Sequence, residues 1–357
     1  MARKLPDNAA TLMPAAEVRA TIDDVALRAG VSKATVSRFL NNREKLLSLG
    51  IAARVEAAIE ALGYTPSPMA QALKRGRSRL IGLVVADIAN PFSVAVLRGA
   101  EKACQEAGYL VMLFNLGDAR EREREGIEAL ASYQVEGFIL NTLGGDSNAA
   151  REMVRHGRPA VLVDRRHGTM QADFVSLNNA DAVQRTVAHL VRNGYGELLF
   201  VTEPTAGVST RVERESAFRA CVAQHGTGVA GRSLELGKST DDALDLALRE
   251  LKQRAGTGIP AVIASNSPMT LRVAASVARL GWQFGADIGF VGFDETDWAP
   301  LIGPGLSTIA QPTDDLGRVA VNCLLERLRG SNLPPREILL AGRLVVRASS
   351  QRGQASD

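Results

Sequence analysis

The chain has 357 residues, a formal net charge of +3 and 46% hydrophobic residues, enough for two or three domains at roughly 100–200 residues each. No apolar run reaches the roughly 18 residues of a transmembrane helix. The N-terminal MARKLPDNAATLMPAAEVRA lacks the continuous apolar stretch of a secretory signal. Cys104, Cys221 and Cys323 lie far apart and the four histidines are scattered, which excludes a disulfide framework and a zinc cluster. A cytoplasmic protein without metal or cofactor is expected.

Charge is unevenly spread. Residues 1–79 hold 13 Lys/Arg against 7 Asp/Glu, a surplus of six; the remainder holds 29 against 32, a deficit of three. A basic head on a mildly acidic body points to a polyanionic partner for the head. Within that head, TIDDVALRAGVSKATVSRFLNN reads as two helices joined by a tight turn. Thr21 is placed to cap the first helix, with Asp23 and Asp24 in the turn where the helix dipole favours acid. Val25, Ala26 and Ala29 form its inner face, and Gly30 ends it in the left-handed conformation that a sharp turn needs. Ser32 caps the second helix, whose Val36, Phe39 and Leu40 face inward. Ser, Thr and Asn are mediocre helix formers, so a polar face rich in them is expected to meet something specific. A small residue, a Gly and a buried Val at this spacing are those of a DNA-binding helix-turn-helix. A third helix follows, with Ser48 as its cap and Val55, Ala58, Ile59 and Leu62 at helical spacing.

SPMAQALKRGRSR joins head to body. Its core is too short for a stable isolated helix, and Lys74, Arg75, Arg77 and Arg79 can approach phosphates. Beyond Leu80 the chain alternates strand and helix. LIGLVVAD, YLVMLFN, VEGFILN and PAVLVDRR form one series of buried parallel strands; ADFVSLNN, ELLFVTE, AVIASN and DIGFVGFDE form a second. Polar residues recur at the strand ends: Asp87, Asn90, Asn115, Asn141, Asp164, Arg165, Asn266, Asp294 and Glu295. In open α/β sheets ligands bind beyond the carboxyl ends of strands. Amides and carboxylates bond adjacent hydroxyls, and Arg grips a carboxylate through two parallel bonds. No G-x-G-x-x-G follows the first strand and no nucleophile elbow is present, so dinucleotide and hydrolase chemistry are disfavoured. A sugar-processing enzyme and a transport-type sugar-binding protein are the competing readings. The basic head and linker argue against both.

TIDDVALRAGVSKATVSRFLNN, followed by RVEAAIEALGYTPSPMAQALKRGRSRLIGLVVADIANPF, resembles the lac-repressor/galactose-repressor family of bacterial transcription regulators. The likeness runs from residue 21 to about 347. One departure is NREKLLSLG, which is longer than the family's usual loop.

The resemblance implies an α/β chain with an N-terminal three-helix helix-turn-helix domain, a hinge helix and a two-lobed periplasmic-binding-protein-like effector domain. It implies an arm at 1–20, a DNA-binding domain at 21–66, a hinge at 67–79 and a tail at 351–357. The first lobe is expected at 80–164 and 296–330, the second at 165–295 and 331–350. DNA-binding roles fall on Thr21, Ser32, Lys33, Ala34, Thr35, Ser37, Arg38, Asn41, Tyr64, Met69, Leu73 and Lys74. Leu73 would wedge into a minor-groove base step. Effector-binding roles fall on Asp87, Asn90, Phe92, Asn141, Asp164, Arg165, Arg211, Asn266, Asp294 and Trp298.

VDRR, VTEP, VSTRVERESAFRA and DWAPLIGPGLSTIAQPT resemble the branch of the family that responds to 2-ketogluconate or 2-keto-3-deoxygluconate. Arg165, Arg166 and Arg211 supply a physical reason for an acidic ligand. The expected partners are operator DNA, a small sugar acid and a second copy of the chain.

Overall fold

The computed structural model describes residues 20–40, 47–66, 77–117, 119, 121–143, 148–168, 170–237 and 241–352. The chain divides into two units, 1–78 and 79–357.

The first unit contains helices α1 (Ile22–Ala29), α2 (Lys33–Leu40) and α3 (Leu49–Leu62). Thr21 caps α1 reciprocally: its side chain accepts from the Asp24 N–H at 3.3 Å, and the Asp24 carboxylate accepts from the Thr21 N–H at 2.7 Å. The helix ends at Gly30, whose φ of 64° is a conformation that side chains with a Cβ rarely adopt. Ala26 and Val25 from α1, Val36 from α2, and Val55 and Ala58 from α3 form the core, with Phe39 and Leu40 packed against it. The small alanines let the helices approach closely. Ser48 stands at the N-cap of α3 without making a side-chain capping bond, so the expected cap is one of position only.

The second unit holds two six-stranded sheets. The first takes the order β11-β5-β4-β3-β1-β2, from β1 (Leu80–Val85), β2 (Leu110–Asn115), β3 (Gly137–Asn141), β4 (Ala160–Val163), β5 (Asp173–Leu177) and β11 (Glu337–Leu340), all parallel. The second takes the order β12-β10-β9-β8-β6-β7, from β6 (Glu197–Thr202), β7 (Ala230–Glu235), β8 (Ala261–Ala264), β9 (Gly289–Phe293), β10 (Ser307–Ala310) and β12 (Arg343–Val345). Only its β10–β12 pairing is antiparallel. The two orders correspond strand for strand, so β4 and β9 occupy equivalent places.

Eight of the helices among the described residues belong to this unit. In chain order they are α4 (Pro91–Glu106), α5 (Arg122–Ser132), α6 (Asn148–Arg155), α7 (Asn179–Arg192), α8 (Ser209–Gln224), α9 (Asp241–Ala255), α10 (Ser267–Arg279) and α11 (Thr313–Leu328). Each sheet carries apolar clusters on both faces, which is why its strands read as nearly continuous Val/Ile/Leu runs. Helices α4 and α11 cross backbone to backbone. A Cβ on Gly99 would lie 2.2 Å from the Asp314 carbonyl oxygen, and one on Gly317 would lie 2.3 Å from that of Val96.

The topology moves the expected lobe boundaries. β5 was expected to open the second lobe, yet it pairs with β4 in the first sheet. Parallel neighbours are usually joined through a helix. Here an irregular stretch makes the crossover, and the missing helix imitates a lobe boundary. Likewise β10 joins the second sheet and β11 the first, each opposite to the lobe expected at 296–330 and 331–350, while α11 packs in the first lobe and β12 pairs in the second sheet. The returning segment is pinned to the first lobe by Asp173. Its carboxylate accepts from Arg327 at 2.9 Å and from the Arg336 side chain and backbone at 3.1 and 2.8 Å. Burial alone would raise the Asp173 pKa, but these bonds outweigh it and hold the carboxyl below the usual carboxylate range.

Candidate functional site

In the first unit, α2 turns Val36 inward, so the face opposite is presented to solvent. Ser32, Lys33, Ala34 and Arg38 are exposed there, and Thr35 and Ser37 are half-buried. Ser32 and Thr35 share a hydroxyl hydrogen bond at 2.9 Å, and Lys33 pairs with Asp23 at 2.8 Å. Thr21 is exposed, and its hydroxyl donates to Asp24 at 2.7 Å. That bond lowers the Asp24 pKa, reinforced by the bond from the Thr21 backbone. Tyr64 packs against the head core. Asn41, Met69, Leu73 and Lys74 lie outside the described residues.

In the second unit, the carboxyl ends of the strands converge on a cleft of about 350 Å³, counting the space open to solvent. It is lined by Asn90, Phe92, Asp164, Arg165, Thr210, Arg211, Arg214, Ser265, Asn266, Asp294 and Gln311. Seven of the ten residues expected to bind effector come together here. The other three, Asp87, Asn141 and Trp298, do not line it. Asp87 accepts from the Ala89 N–H at 2.9 Å, Asn141 donates to the Val163 carbonyl at 3.2 Å, and Trp298 packs beside the second-lobe core. Asp87 and Asn141 thus each make a local hydrogen bond outside the cleft lining.

Asp164 and Asp294 directly follow β4 and β9, and both adopt left-handed backbone, with φ of 66° and 75°. Asp tolerates this conformation better than most residues, but at some cost. Each N–H still completes its sheet, donating to Val175 at 2.9 Å and Ile309 at 3.0 Å respectively. The turn aims both carboxylates into the cleft, where they are only 6% and 7% exposed.

Asp294 is held firmly. One oxygen accepts from the Ser267 N–H at 3.0 Å and hydroxyl at 2.8 Å; the other accepts from Gln311 at 2.6 Å. Asp164 has Arg165 beside it at 3.4 Å. Burial raises the Asp164 pKa despite the opposing pull of Arg165 and Arg214.

Three guanidinium groups complete the cleft. Arg214 is 5% exposed and is fixed by Asn179 at 2.8 Å and by the Ser265 carbonyl at 2.6 Å. It stacks 4.1 Å above the Phe293 ring. Burial lowers its pKa, while Asp164 and Asp294 act in the opposite sense. Arg211 donates to the Pro204 carbonyl at 3.0 Å and to Glu203 at 2.6 Å. Arg165 donates to the Thr142 carbonyl at 3.1 Å. Thr142 is braced in turn by a 2.5 Å hydrogen bond between its hydroxyl and buried His167. Burial, aided by Arg151, pushes the His167 pKa down to about 4.

Thr210, Arg214, Ser265 and Gln311 escaped the sequence reading. Thr210 and Arg214 lie four residues apart on α8, a spacing that puts them on one face with Arg211; that was the available signal. Among the described residues no group of His, Cys, Asp or Glu is placed to hold a metal ion, and no helix is long and apolar enough to cross a membrane.

Comparison with known proteins bears on both units. Residues 21–67 match the bacterial regulatory proteins of the lacI family, and residues 187–350 match the periplasmic binding protein-like domain. The chain is 44% identical to the HTH-type transcriptional regulator PtxS of Pseudomonas plecoglossicida, covering 94% of this chain and 97% of that one. It is 36% identical to the HTH-type transcriptional regulator KdgR of Bacillus subtilis, covering 92% and 97%. Among solved structures it is similar to the lac repressor dimer bound to operator and the anti-inducer ONPF. There the TM-score is 0.77, with 25% identity, over 93% of this chain and 99% of the other.

Proposed function

From the premise that this chain belongs to the lacI family of bacterial regulatory proteins and is a DNA-binding transcriptional regulator rather than an enzyme, we propose that it represses sugar-acid catabolism genes and leaves its operator when a sugar acid such as 2-ketogluconate fills the cleft. The observation that carries the effector reading is the lining itself. Three guanidinium groups face two carboxylates among polar neutral groups, a surplus of one positive charge suited to a hydroxyl-rich anion. In this reading Arg211, Arg214 and Arg165 serve the ligand carboxylate, while Asp164, Asn266 and Asp294 serve hydroxyls. Phe92 offers an apolar contact.

On the DNA side, Lys33, Ala34 and Arg38 face base edges and Ser37 and Asn41 reach phosphate. Arg bonds guanine O6 and N7 together, and Ala offers apolar contact, for instance to a thymine methyl. Leu73 wedges a central minor-groove step. The working unit is a cytoplasmic homodimer on a near-palindromic operator, because one head covers a single half-site. The similar lac repressor structure is a dimer on operator.

Ligand contacts from both lobes shift the population toward a closed arrangement. Closure alters how two first lobes meet across the dimer, and with it the spacing of the hinge segments, so DNA is released. A gel shift on upstream DNA tests this reading. Specific binding is expected, with dissociation on adding 2-ketogluconate; no specific binding at moderate salt would contradict it. Arg38→Ala should weaken operator binding by about 1–3 kcal/mol and relax preference at one base position. Equal losses on operator and random DNA would contradict base readout.

A further inference from the structure

One carboxylate stands at the cleft without lining it. Glu203 follows β6 in the loop that leads to α8. Its Oε2 accepts from Arg211 Nη2 at 2.6 Å and from Asn266 Nδ2 at 2.6 Å. Both donors belong to cleft-lining residues, and each has its other end committed. Arg211 Nη1 donates to the Pro204 carbonyl, and Asn266 Oδ1 caps α10 by accepting from the Met269 N–H at 3.0 Å. One N–H of Arg211 and one of Asn266, both residues of the cleft lining, therefore converge on a carboxylate of the chain itself.

We propose that Glu203 is an internal competitor for the effector's carboxylate: it engages Arg211 and Asn266 and sets the charge that a ligand must carry to replace it. This rests on the sugar-acid reading above. The lining carries three positive and two negative groups; Glu203, paired with Arg211, makes the count three against three. An incoming carboxylate exchanges like for like, because the charge-assisted bonds lost by Glu203 are remade by the ligand. Glu203 is already 23% exposed at its side chain, so it regains water by swinging outward. A neutral sugar offers only hydroxyl oxygens to Arg211. It leaves the guanidinium with a weaker partner and gains nothing from evicting Glu203. Selection for an acid thus comes from the competitor as well as from the arginines.

The test is calorimetric titration of the full-length chain and its Glu203→Gln variant with 2-ketogluconate and with fructose, which has a hydroxymethyl group in place of the carboxylate. The amide keeps the shape and removes the charge. Affinity for 2-ketogluconate is expected to rise about tenfold, the scale of one charged hydrogen bond, with fructose affinity unchanged. Unchanged or weaker acid binding, or an equal gain for both sugars, would overturn the proposal. Arg211→Gln provides the second arm. In that background Glu203→Gln should no longer raise acid affinity, because the two act as a pair; a persistent gain would also overturn it. A wild-type chain that binds fructose and not 2-ketogluconate would refute the sugar-acid reading. The Glu203 proposal would then stand or fall on whether the Gln variant acquires acid binding.

Discussion

The two lobes place the same residue at the same point of the same topology and use it differently. Asp164 follows β4 and Asp294 follows β9, both buried and both left-handed. Asp294 is met by a helix N-terminus, a serine hydroxyl and a glutamine amide. Asp164 is met chiefly by arginine charge, which does not overcome the cost of its burial. One backbone device therefore yields a carboxylate held by three hydrogen bonds and a carboxylate held chiefly by neighbouring charge. A ligand hydroxyl donating to Asp164 would offset part of that burial cost.

Arg214, which answers both aspartates, breaks the comparison most severely when removed. Arg214→Ala should destabilise the ligand-free chain by about 3–5 kcal/mol, the usual result of leaving buried charge without its partner. It should also abolish the ligand response. Urea unfolding measures the first effect, and wild-type-like stability would show that the carboxylates do not depend on it.

Asp294→Asn comes next. The amide retains acceptance from Ser267 but sets one donor against another at Gln311. A loss of about 1–3 kcal/mol is expected for the disrupted bonds.

Asp164→Asn should act in the opposite direction on stability. The folded-state pKa is raised, so the native chain binds the proton more readily than the unfolded chain. The charged form therefore detracts from stability above the ordinary aspartate range, and this penalty fades on acidification. Removing the charge should raise the melting temperature by up to a few degrees while weakening effector binding. A melting temperature that falls as far as that of Asp294→Asn would erase the distinction between the lobes. Effector affinity of the parent chain should also decline on acidification, beginning above the usual carboxylate range as Asp164 takes up a proton. Asp164→Asn should flatten that decline. An identical pH profile in the two proteins would assign the titration elsewhere.

The sequence made Asp164 and Asp294 legible because a polar residue ending an apolar run has few structural uses in a parallel sheet. The head was legible for a related reason: Thr21, Gly30 and Val36 each satisfy a distinct local demand at a fixed spacing. Arg214 is obscured by the general polarity of TRVERESAF, where only full burial separates it from the half-buried charges around it. Gln311 is hidden by topology, since the strand before it reads as part of the first lobe yet pairs in the second sheet. Asp87 and Asn141 mark the opposite failure. They satisfy the strand-end pattern, but each makes a local hydrogen bond and neither lines the cleft, and nothing in residue type distinguishes the two cases.

The central claim is that cleft and operator oppose each other, and the direct measurement is the affinity of 2-ketogluconate for the full-length chain with and without saturating operator. A coupling of about 1–3 kcal/mol, or roughly 5–150-fold weaker binding on operator, is expected, because linkage makes the effect reciprocal. Equal affinities in the two titrations would contradict the coupling, and tighter binding on operator would make the ligand a co-repressor.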